Sequence, residues 1–276
     1  MWMCVTAKAA DHRAKGSPRA ALSLCRLPWQ EGARQKGQNM AGRIWVLDVA
    51  RTAALLAMAS YHFTYDLQMF GLVPPGTAVS GFFYGYARAI AGTFLFLAGL
   101  GLWLAHGRGI RWGAFLRRWA KIVAAAALVS MATWFALPGW FVFFGILHCI
   151  AVSSLLGLGF LRLPAVLVAV LGAAIITASY VLPPLVQLNH PGFYWIGLHT
   201  VPVMSVDLEP LIPWFGPFLL GLAAGRICNP LWPRLARIGG PAWLAWPGRH
   251  SLAVYLIHQP VLFGLVWLWV RFGPLI

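Results

Sequence analysis

Long apolar stretches, separated by short polar segments, run along most of the chain. A helix that spans a membrane needs about 20 mostly apolar residues, and seven stretches approach that length. They are approximately 46–69, 82–105, 115–137, 140–161, 164–182, 211–229 and 250–270. The nearly continuous run 140–182 is interrupted between Arg162 and Pro164, where proline predicts a turn. The pattern predicts an all-α fold, a polytopic transmembrane helix bundle of about seven spans.

The first 39 residues do not share this pattern. They are polar and basic without a continuous apolar core, which argues against a spanning helix and against a secretory signal peptide. We therefore predict a disordered basic tail at 1–39 and a transmembrane domain at 40–276. Met40 opens directly onto the first apolar stretch, so translation from Met1 and translation from Met40 are both left open.

Composition excludes an ordinary soluble domain. Hydrophobic residues make up 60% and charged residues 10% of the chain, with a mean hydropathy of +0.74, whereas soluble domains carry about 25% charged residues. The net charge of +15 would suggest nucleic acid in a soluble protein, but here the basic residues lie between apolar runs, as membrane topology requires. We expect no nucleic-acid partner. The four cysteines are scattered without metal-ligand spacing, so we expect neither a disulfide nor a metal site.

The basic residues also orient the predicted spans. Of the 21 Lys and Arg residues, eighteen fall in the N-terminal segment or in alternate connections, and the opposite connections carry none. The positive-inside rule then places the N-terminus in the cytoplasm and the C-terminus outside. We expect a multi-pass protein of the cell inner membrane, surrounded by lipid, and leave homo-oligomerisation open.

Acidic residues are rare enough to mark candidate sites. Beyond the tail the acids are Asp48, Asp66, Asp207 and Glu209. Asp48 and Arg51 are three residues apart near the cytoplasmic end of the first helix, where they can neutralise each other or serve function; both readings stay open.

A histidine and a carboxylate share one face of the first helix. His62 precedes Asp66 by one turn, and a carboxylate beside an imidazole fixes its tautomer and raises its basicity, as in a general base. Arg88 begins the second helix at a similar predicted depth. We expect His62, Asp66 and Arg88 to form the catalytic group, because ionisable residues within a membrane usually serve function.

The long outer segment 183–210 is a second candidate region. Loops of this length are commonly functional, although a cap over the bundle is the alternative. We expect His199, Asp207 and Glu209 to bind the acceptor substrate, with His190 as a further polar residue in the same segment.

Several residues inside or at the edge of the bundle remain open to two interpretations. His148 and His258 either line a polar cavity or join neighbouring helices. The basic cluster Arg117, Arg118 and Lys121 either signals topology or binds phosphates. Gly221 and Gly225 form a G-x-x-x-G pair that predicts close helix packing.

Four stretches together resemble the bacterial branch of the heparan-alpha-glucosaminide N-acetyltransferase family, within a wider superfamily of membrane acyltransferases. They are "RIWVLDVARTAALLAMASYHFTYDL", "ARAIAGTFLFLAGLGL", "FFGILHCIAVSSLLG" and "GRHSLAVYLIHQPVL". In that superfamily an arginine followed by ten residues and a histidine marks the first helix, and Arg51 with His62 has that spacing. A basic pair three residues apart is also typical, and Arg118 with Lys121 is similar to it.

The resemblance implies transfer of an acetyl group from cytoplasmic acetyl-CoA to an amine or hydroxyl of a saccharide-type acceptor at the outer face. It implies no metal. On this reading the donor is bound by Arg51, Arg117, Arg118, Lys121, His148 and His258. Direct attack with His62 as base and a covalent acetyl-histidine are both left open.

Two other classes of protein compete with an enzyme. A proton-coupled transporter or flippase could use His62, Asp66 and Asp207 as a proton relay, although the seven stretches show no inverted repeat. A non-catalytic membrane scaffold would leave the clustered charges without a purpose. Release of CoA by the purified protein separates the first class from both alternatives.

Overall fold

The computed structural model describes residues 43–182 and 185–273. The tail predicted at 1–39 and the choice of start between Met1 and Met40 lie outside the described residues. Within the described ranges the fold is helical, and the single β-bridge joins Phe144 and Leu208. The predicted all-α class is therefore confirmed.

The helices follow the apolar stretches closely, with two differences. Nine α-helices lie in the described ranges: α1 Trp45–Met69, α2 Gly81–His106, α3 Trp112–Ala136, α4 Ile146–Phe160, α5 Ala165–Val181, α6 Leu211–Ile227, α7 Trp232–Leu235, α8 Ala242–Arg249 and α9 Ser251–Phe272. The fourth predicted helix begins at Ile146 rather than at 140. The short helices α7 and α8 were not predicted, because their proline-containing, partly polar sequences are too short to span a membrane.

Three of the described helices, α2, α3 and α9, are long and apolar enough to cross a membrane. A fourth candidate joins α6 to Asn229–Leu235 across a 58° bend. Helices α4 and α5 are apolar but have only 15 and 17 residues, and α1 is outside the candidate set because its polar and ionisable side chains reduce its hydropathy. The chain is a helical membrane protein, and the number of seven spans remains a prediction.

Glycines allow α2 and α6 to pack backbone against backbone. A Cβ added to Gly99 would lie 1.9 Å from the Phe218 carbonyl oxygen, and one added to Gly221 would lie 1.9 Å from that of Phe96. Gly225 packs on the Trp103 side chain. The predicted packing role of Gly221 and Gly225 is confirmed, because any side chain at these positions would push the helices apart.

Helices α1 and α9 run in parallel. The ring of His62 in α1 lies 5.1 Å from that of His258, and Phe70, directly after α1, lies 5.0 Å from Phe263. Contacts that advance in the same direction on both helices require parallel axes. The first and last described helices therefore pack against each other through their side chains.

Helix α8 packs against the beginning of α1. The Thr52 hydroxyl donates to the Leu244 carbonyl at 2.8 Å and accepts from the Gly248 N–H at 3.0 Å. A Cβ at Gly248 would lie 1.8 Å from the Asp48 carbonyl oxygen. The close approach places the C-terminal residue of α8, Arg249, beside the first turn of α1.

The end of the predicted outer segment pairs with the extended residues before α4. Val206 N–H donates to the Trp140 carbonyl and Glu209 N–H to that of Phe144, each at 2.9 Å. These hydrogen bonds explain the late start of α4, because they satisfy its preceding backbone groups in an extended conformation. They also carry Asp207 and Glu209 to the N-terminus of α4.

Candidate functional site

Four basic side chains line one cavity. The cavity has a volume of about 440 Å³ and lies between α1, α2, α3, α4 and α9. Its basic lining residues are Arg51, Arg117, Arg118 and Lys121, and its lining within the described chain includes no acidic residue. Volumes of about 300–1,000 Å³ are typical of small-molecule sites. The structure therefore joins Arg51 of α1 to the basic cluster of α3.

Two guanidinium groups meet at the wall of this cavity. The Cβ that Gly101 lacks would lie 3.5 Å from Arg51 Nη2 and 3.7 Å from Arg118 Nη1. The charge of Arg51 acts unfavourably on Arg118, and an anion bound near both groups would offset this repulsion. The arrangement is suited to an anionic ligand such as a phosphate group.

A buried carboxylate holds one of these arginines in place. Asp48 is fully buried and forms ion pairs with Arg51 Nη1 at 3.0 Å and with Arg249 Nε at 3.4 Å. The ion pair of Asp48 with Arg51 agrees with mutual neutralisation, one of the two readings that the sequence left open. Because Arg51 also lines the cavity, Asp48 positions a cavity residue while remaining shielded from solvent.

The end of the cavity at Ile146 and Tyr255, called the inner end below, lies close to the outer segment. The side chain of Ile146 lines the cavity, and its backbone N–H donates to Asp207 Oδ2 at 3.2 Å. Tyr255 of α9 lines the same end and lies within electrostatic range of Asp207 and Glu209. One residue of α4 thus separates the basic cavity from the carboxylates.

Asp207 and Glu209 form an acidic pair in the outer segment, in which the charge of Asp207 acts on Glu209. Burial raises the pKa of Asp207 to about 6, although the Ile146 N–H partly offsets the shift. Burial and, secondarily, the charge of Asp207 raise the pKa of Glu209 well above its ordinary value, against the opposing effects of Arg88 and Trp214. These carboxyls therefore hold protons more readily than carboxyls in water.

Arg88 lies near the acidic pair of Asp207 and Glu209. Its Nη1 donates to the Tyr84 hydroxyl at 3.2 Å, and its guanidinium lies 5.2 Å from the Tyr84 ring centroid and 5.4 Å from that of Trp214. Arg88 also acts electrostatically on Glu209. The structure thus joins the predicted catalytic arginine to a predicted acceptor-binding residue.

His62 contacts another histidine. The rings of His62 and His258 are tilted at 60° to each other with their centroids 5.1 Å apart. His258 Nδ1 lies 2.5 Å from the Tyr255 carbonyl oxygen. Since a carbonyl only accepts, His258 Nδ1 carries the proton, and neutral His258 presents a lone pair at Nε2.

Asp66 is held by α9. Its Oδ1 accepts a hydrogen bond of 2.7 Å from Gln259 Nε2, so the hydrogen bond that the structure gives this carboxylate runs to a residue 193 positions away rather than to His62. Asp66 Oδ2, Gln259 Oε1 and His258 Nε2 are buried without a hydrogen-bond partner. A buried polar atom without a partner costs about 1–3 kcal/mol, so these three atoms mark the interface as a candidate functional region.

The remaining predicted histidines have structural contacts. His148 is not a cavity-lining residue: its Nδ1 accepts from the Gly145 N–H and its Nε2 faces the Ser130 hydroxyl at 3.3 Å. His258 likewise lies outside the cavity lining. His199 packs its ring 5.2 Å from that of Tyr194, and burial lowers its pKa.

His190 caps a short 3₁₀ turn, Pro191–Ile196, by accepting from the Gly192 N–H. These contacts place His190 within the outer segment's own fold. Within the described ranges, no three His, Cys, Asp or Glu side chains lie together as a metal-binding group.

Three residues of the site escaped the sequence analysis. Arg249, Tyr255 and Gln259 are all contributed by the C-terminal helices α8 and α9. The pattern "YLIHQP" places Tyr255, His258 and Gln259 within two helical turns, and a Gln beside a His inside an apolar helix was the signal that could have identified them.

One comparison with known proteins gave a match. A model of the heparan-alpha-glucosaminide N-acetyltransferase catalytic domain matches residues 43–260. This range covers α1 to α8 and most of the polar residues that α9 contributes. The searches of curated proteins and of solved structures found no match.

Proposed function

The chain belongs to the heparan-alpha-glucosaminide N-acetyltransferase catalytic family, and we propose that it transfers an acetyl group from acetyl-CoA to an amine or hydroxyl of a saccharide-type acceptor. The family makes it a membrane acetyltransferase. The donor, the acceptor and the side from which each enters are our proposal.

The basic cavity is the observation that carries this proposal. CoA is a multiply charged anion, and Arg51, Arg117, Arg118 and Lys121 surround one cavity. Phosphate groups bound by these side chains leave the thioester free to extend toward the inner end of the cavity, at Ile146 and Tyr255. Charge-assisted hydrogen bonds make Arg and Lys the usual ligands of phosphate.

We assign the reacting groups to the region next to that inner end, because His258, which contacts His62, also contacts Tyr255. His62 takes the proton of the acceptor, and the acceptor's lone pair attacks the thioester carbonyl. Arg88, located among Asp207 and Glu209, steadies charge on the acceptor or on the developing oxyanion. Asp66 supports this arrangement through the α1–α9 interface, because its bond runs to Gln259.

We propose seven spans, with the N-terminus in the cytoplasm and the C-terminus outside. The parallel contacts of α1 and α9 support this topology, since both helices must then cross in the same direction. The positive-inside distribution supports a cytoplasmic position for the basic cavity, where acetyl-CoA is available, and supports our proposal of insertion in the inner membrane.

A proton-coupled transporter is the alternative. The observation in its favour is the buried, unpartnered set of Asp66 Oδ2, Gln259 Oε1 and His258 Nε2 between two parallel helices. Such groups are typical of proton relays in transporters. A transporter would not cleave the thioester of acetyl-CoA, so release of free thiol distinguishes the two functions.

The test measures CoA release by purified protein in detergent, with amino sugars and neutral sugars as acceptors. Arg118→Ala should raise the KM for acetyl-CoA by roughly 10- to 100-fold, since a hydrogen bond to a charged group contributes about 1.5–3 kcal/mol. The acceptor KM should change little. Arg234→Ala is the matched control, because Arg234 is an exposed arginine that does not line the cavity. Unchanged donor KM in well-folded Arg118→Ala would contradict the proposed donor site.

A further inference from the structure

His258 has the arrangement of a residue that accepts and returns a proton. Its Nδ1–H donates to the Tyr255 carbonyl, which fixes the tautomer and leaves the Nε2 lone pair available. That Nε2 atom is buried and has no hydrogen-bond partner. A backbone carbonyl on one ring nitrogen and a free lone pair on the other is the arrangement that orients a histidine base.

The position of His258 links the two halves of the site. Its ring lies 5.1 Å from the ring of His62. The residue whose carbonyl holds it, Tyr255, lines the inner end of the basic cavity. His258 thus contacts both the proposed base and a residue that lines the cavity.

Two other histidines of the same bundle, His148 and His250, do not combine a carbonyl contact at Nδ1 with a buried, unpartnered Nε2. Both ring nitrogens of His148 have partners, the Gly145 N–H and the Ser130 hydroxyl. His250 has its Nδ1 2.9 Å from the Trp246 carbonyl oxygen, but its side chain is exposed at the beginning of α9. His250 thus offers the same carbonyl contact without the buried neighbour.

We propose that His258 carries the acceptor's proton from His62 to the departing sulfur of CoA. The inference rests on the proposed acetyl transfer and adds to it a general acid for the leaving group. Because the partner of His62 is then a second imidazole, Asp66 is not needed as its orienter.

The steps balance. His62 removes the proton from the acceptor's nitrogen or oxygen, whose lone pair forms a bond to the acetyl carbon of the thioester. The proton passes to His258 Nε2. The C–S bond breaks, its electron pair leaves with sulfur, and His258 returns the proton to that thiolate. The products are the acetylated acceptor and CoA with a free thiol, and both histidines end neutral.

The experiment compares two acetyl donors. With acetyl-CoA, an alkyl thioester, departure of the thiolate benefits from protonation. With an acetyl thioester of a nitro-substituted thiophenol, the thiolate is stable enough to leave unprotonated. With acetyl-CoA, His258→Gln should lower kcat by about 10²-fold relative to the wild-type protein, the lower range for loss of a general acid. With the aromatic thioester, the kcat of the variant should be close to that of the wild-type protein.

The controls separate chemistry from folding. His250→Gln should leave kcat unchanged with both donors. Thermal unfolding and acetyl-CoA binding are measured for each variant, and His258→Asn replaces His258→Gln if the latter does not fold. An equal loss with both donors, or no loss with acetyl-CoA, would overturn the role of His258. Failure of the wild-type protein to release CoA would instead overturn the proposed function, and the inference with it.

Discussion

Asp66 of α1 accepts a 2.7 Å hydrogen bond from Gln259 of α9, while His62, one turn before Asp66, lies against His258. The two pairs cross the same helix interface at neighbouring levels. We therefore assign a structural role to the contact of Asp66 with Gln259 and a catalytic role to the two imidazoles of His62 and His258.

Removal of Gln259 should therefore destabilise the fold. Gln259→Leu leaves the buried Asp66 carboxylate without its donor, which should cost about 1–3 kcal/mol or more. The double variant Asp66→Leu with Gln259→Leu should recover part of the loss, because both polar groups are then gone. Thermal unfolding in detergent measures both effects. Gln187→Leu is the control, because Gln187 is exposed. Equal melting temperatures of Gln187→Leu and Gln259→Leu would contradict a stabilising role of the contact between Gln259 and Asp66.

The glycine contact between α2 and α6 makes a second prediction. Gly221→Ala places a methyl group 1.9 Å from the Phe96 carbonyl oxygen, so the helices must separate, at a cost of roughly 1–3 kcal/mol. Gly85→Ala is the matched control, because nothing lies within 4 Å of its added Cβ and alanine favours a helix by about 1 kcal/mol. The two variants should shift the melting temperature in opposite directions, and shifts of the same sign would argue against the packing.

The acidic pair predicts how stability depends on pH. The pKa of Asp207 is about 6 in the fold, above the value of about 3.9 expected for the unfolded chain. The folded state therefore binds a proton that the unfolded state has already released between these values. Stability from this group is fully present below about pH 4 and is lost as the pH rises through about 6.

Asp207→Asn should remove this dependence. Its melting temperature should decline less between about pH 4 and pH 6 than that of the wild-type protein. Glu209 has a shift of the same direction and remains in the variant, so a reduced decline, not a flat profile, is the expected result. A decline as steep as that of the wild-type protein would mean that Asp207 is not the titrating group.

Reporter fusions test the topology. A reporter placed after Ile276 should be periplasmic, and one placed in the connection between α2 and α3 should be cytoplasmic. The α2–α3 connection carries Arg108 and Arg111, which the positive-inside rule retains in the cytoplasm. The reverse pattern would place the basic cavity on the wrong side for cytoplasmic acetyl-CoA.

The helices could be predicted from sequence because apolar runs of helix length are a strong signal. The start of α4 could not, since the apolar residues 140–145 suit a helix or an extended strand equally. Hydrogen bonds from the backbone N–H groups of Val206 and Glu209 stabilise residues 140–145 in the extended form. These partners are more than 60 residues away in sequence, so local pattern does not contain the information.

The site shows the same limit. The resemblance pointed to Arg51 with His62 and to Arg118 with Lys121, and the structure gathers Arg51, Arg118 and Lys121 around one cavity. Spacing also suggested that Asp66 would orient His62, but a position one turn away only permits contact. The register of α9 against α1 decides the partner, and Gln259 competes successfully for the carboxylate.

Acetyl transfer by His62→Ala is the measurement that tests the central claim most directly. If His62 is the general base, kcat should fall by about 10²- to 10⁴-fold while the KM for acetyl-CoA changes little. Melting temperature and donor binding should match the wild-type protein, since the basic cavity does not include His62. Transfer at a near wild-type rate by this well-folded variant would contradict the catalytic assignment.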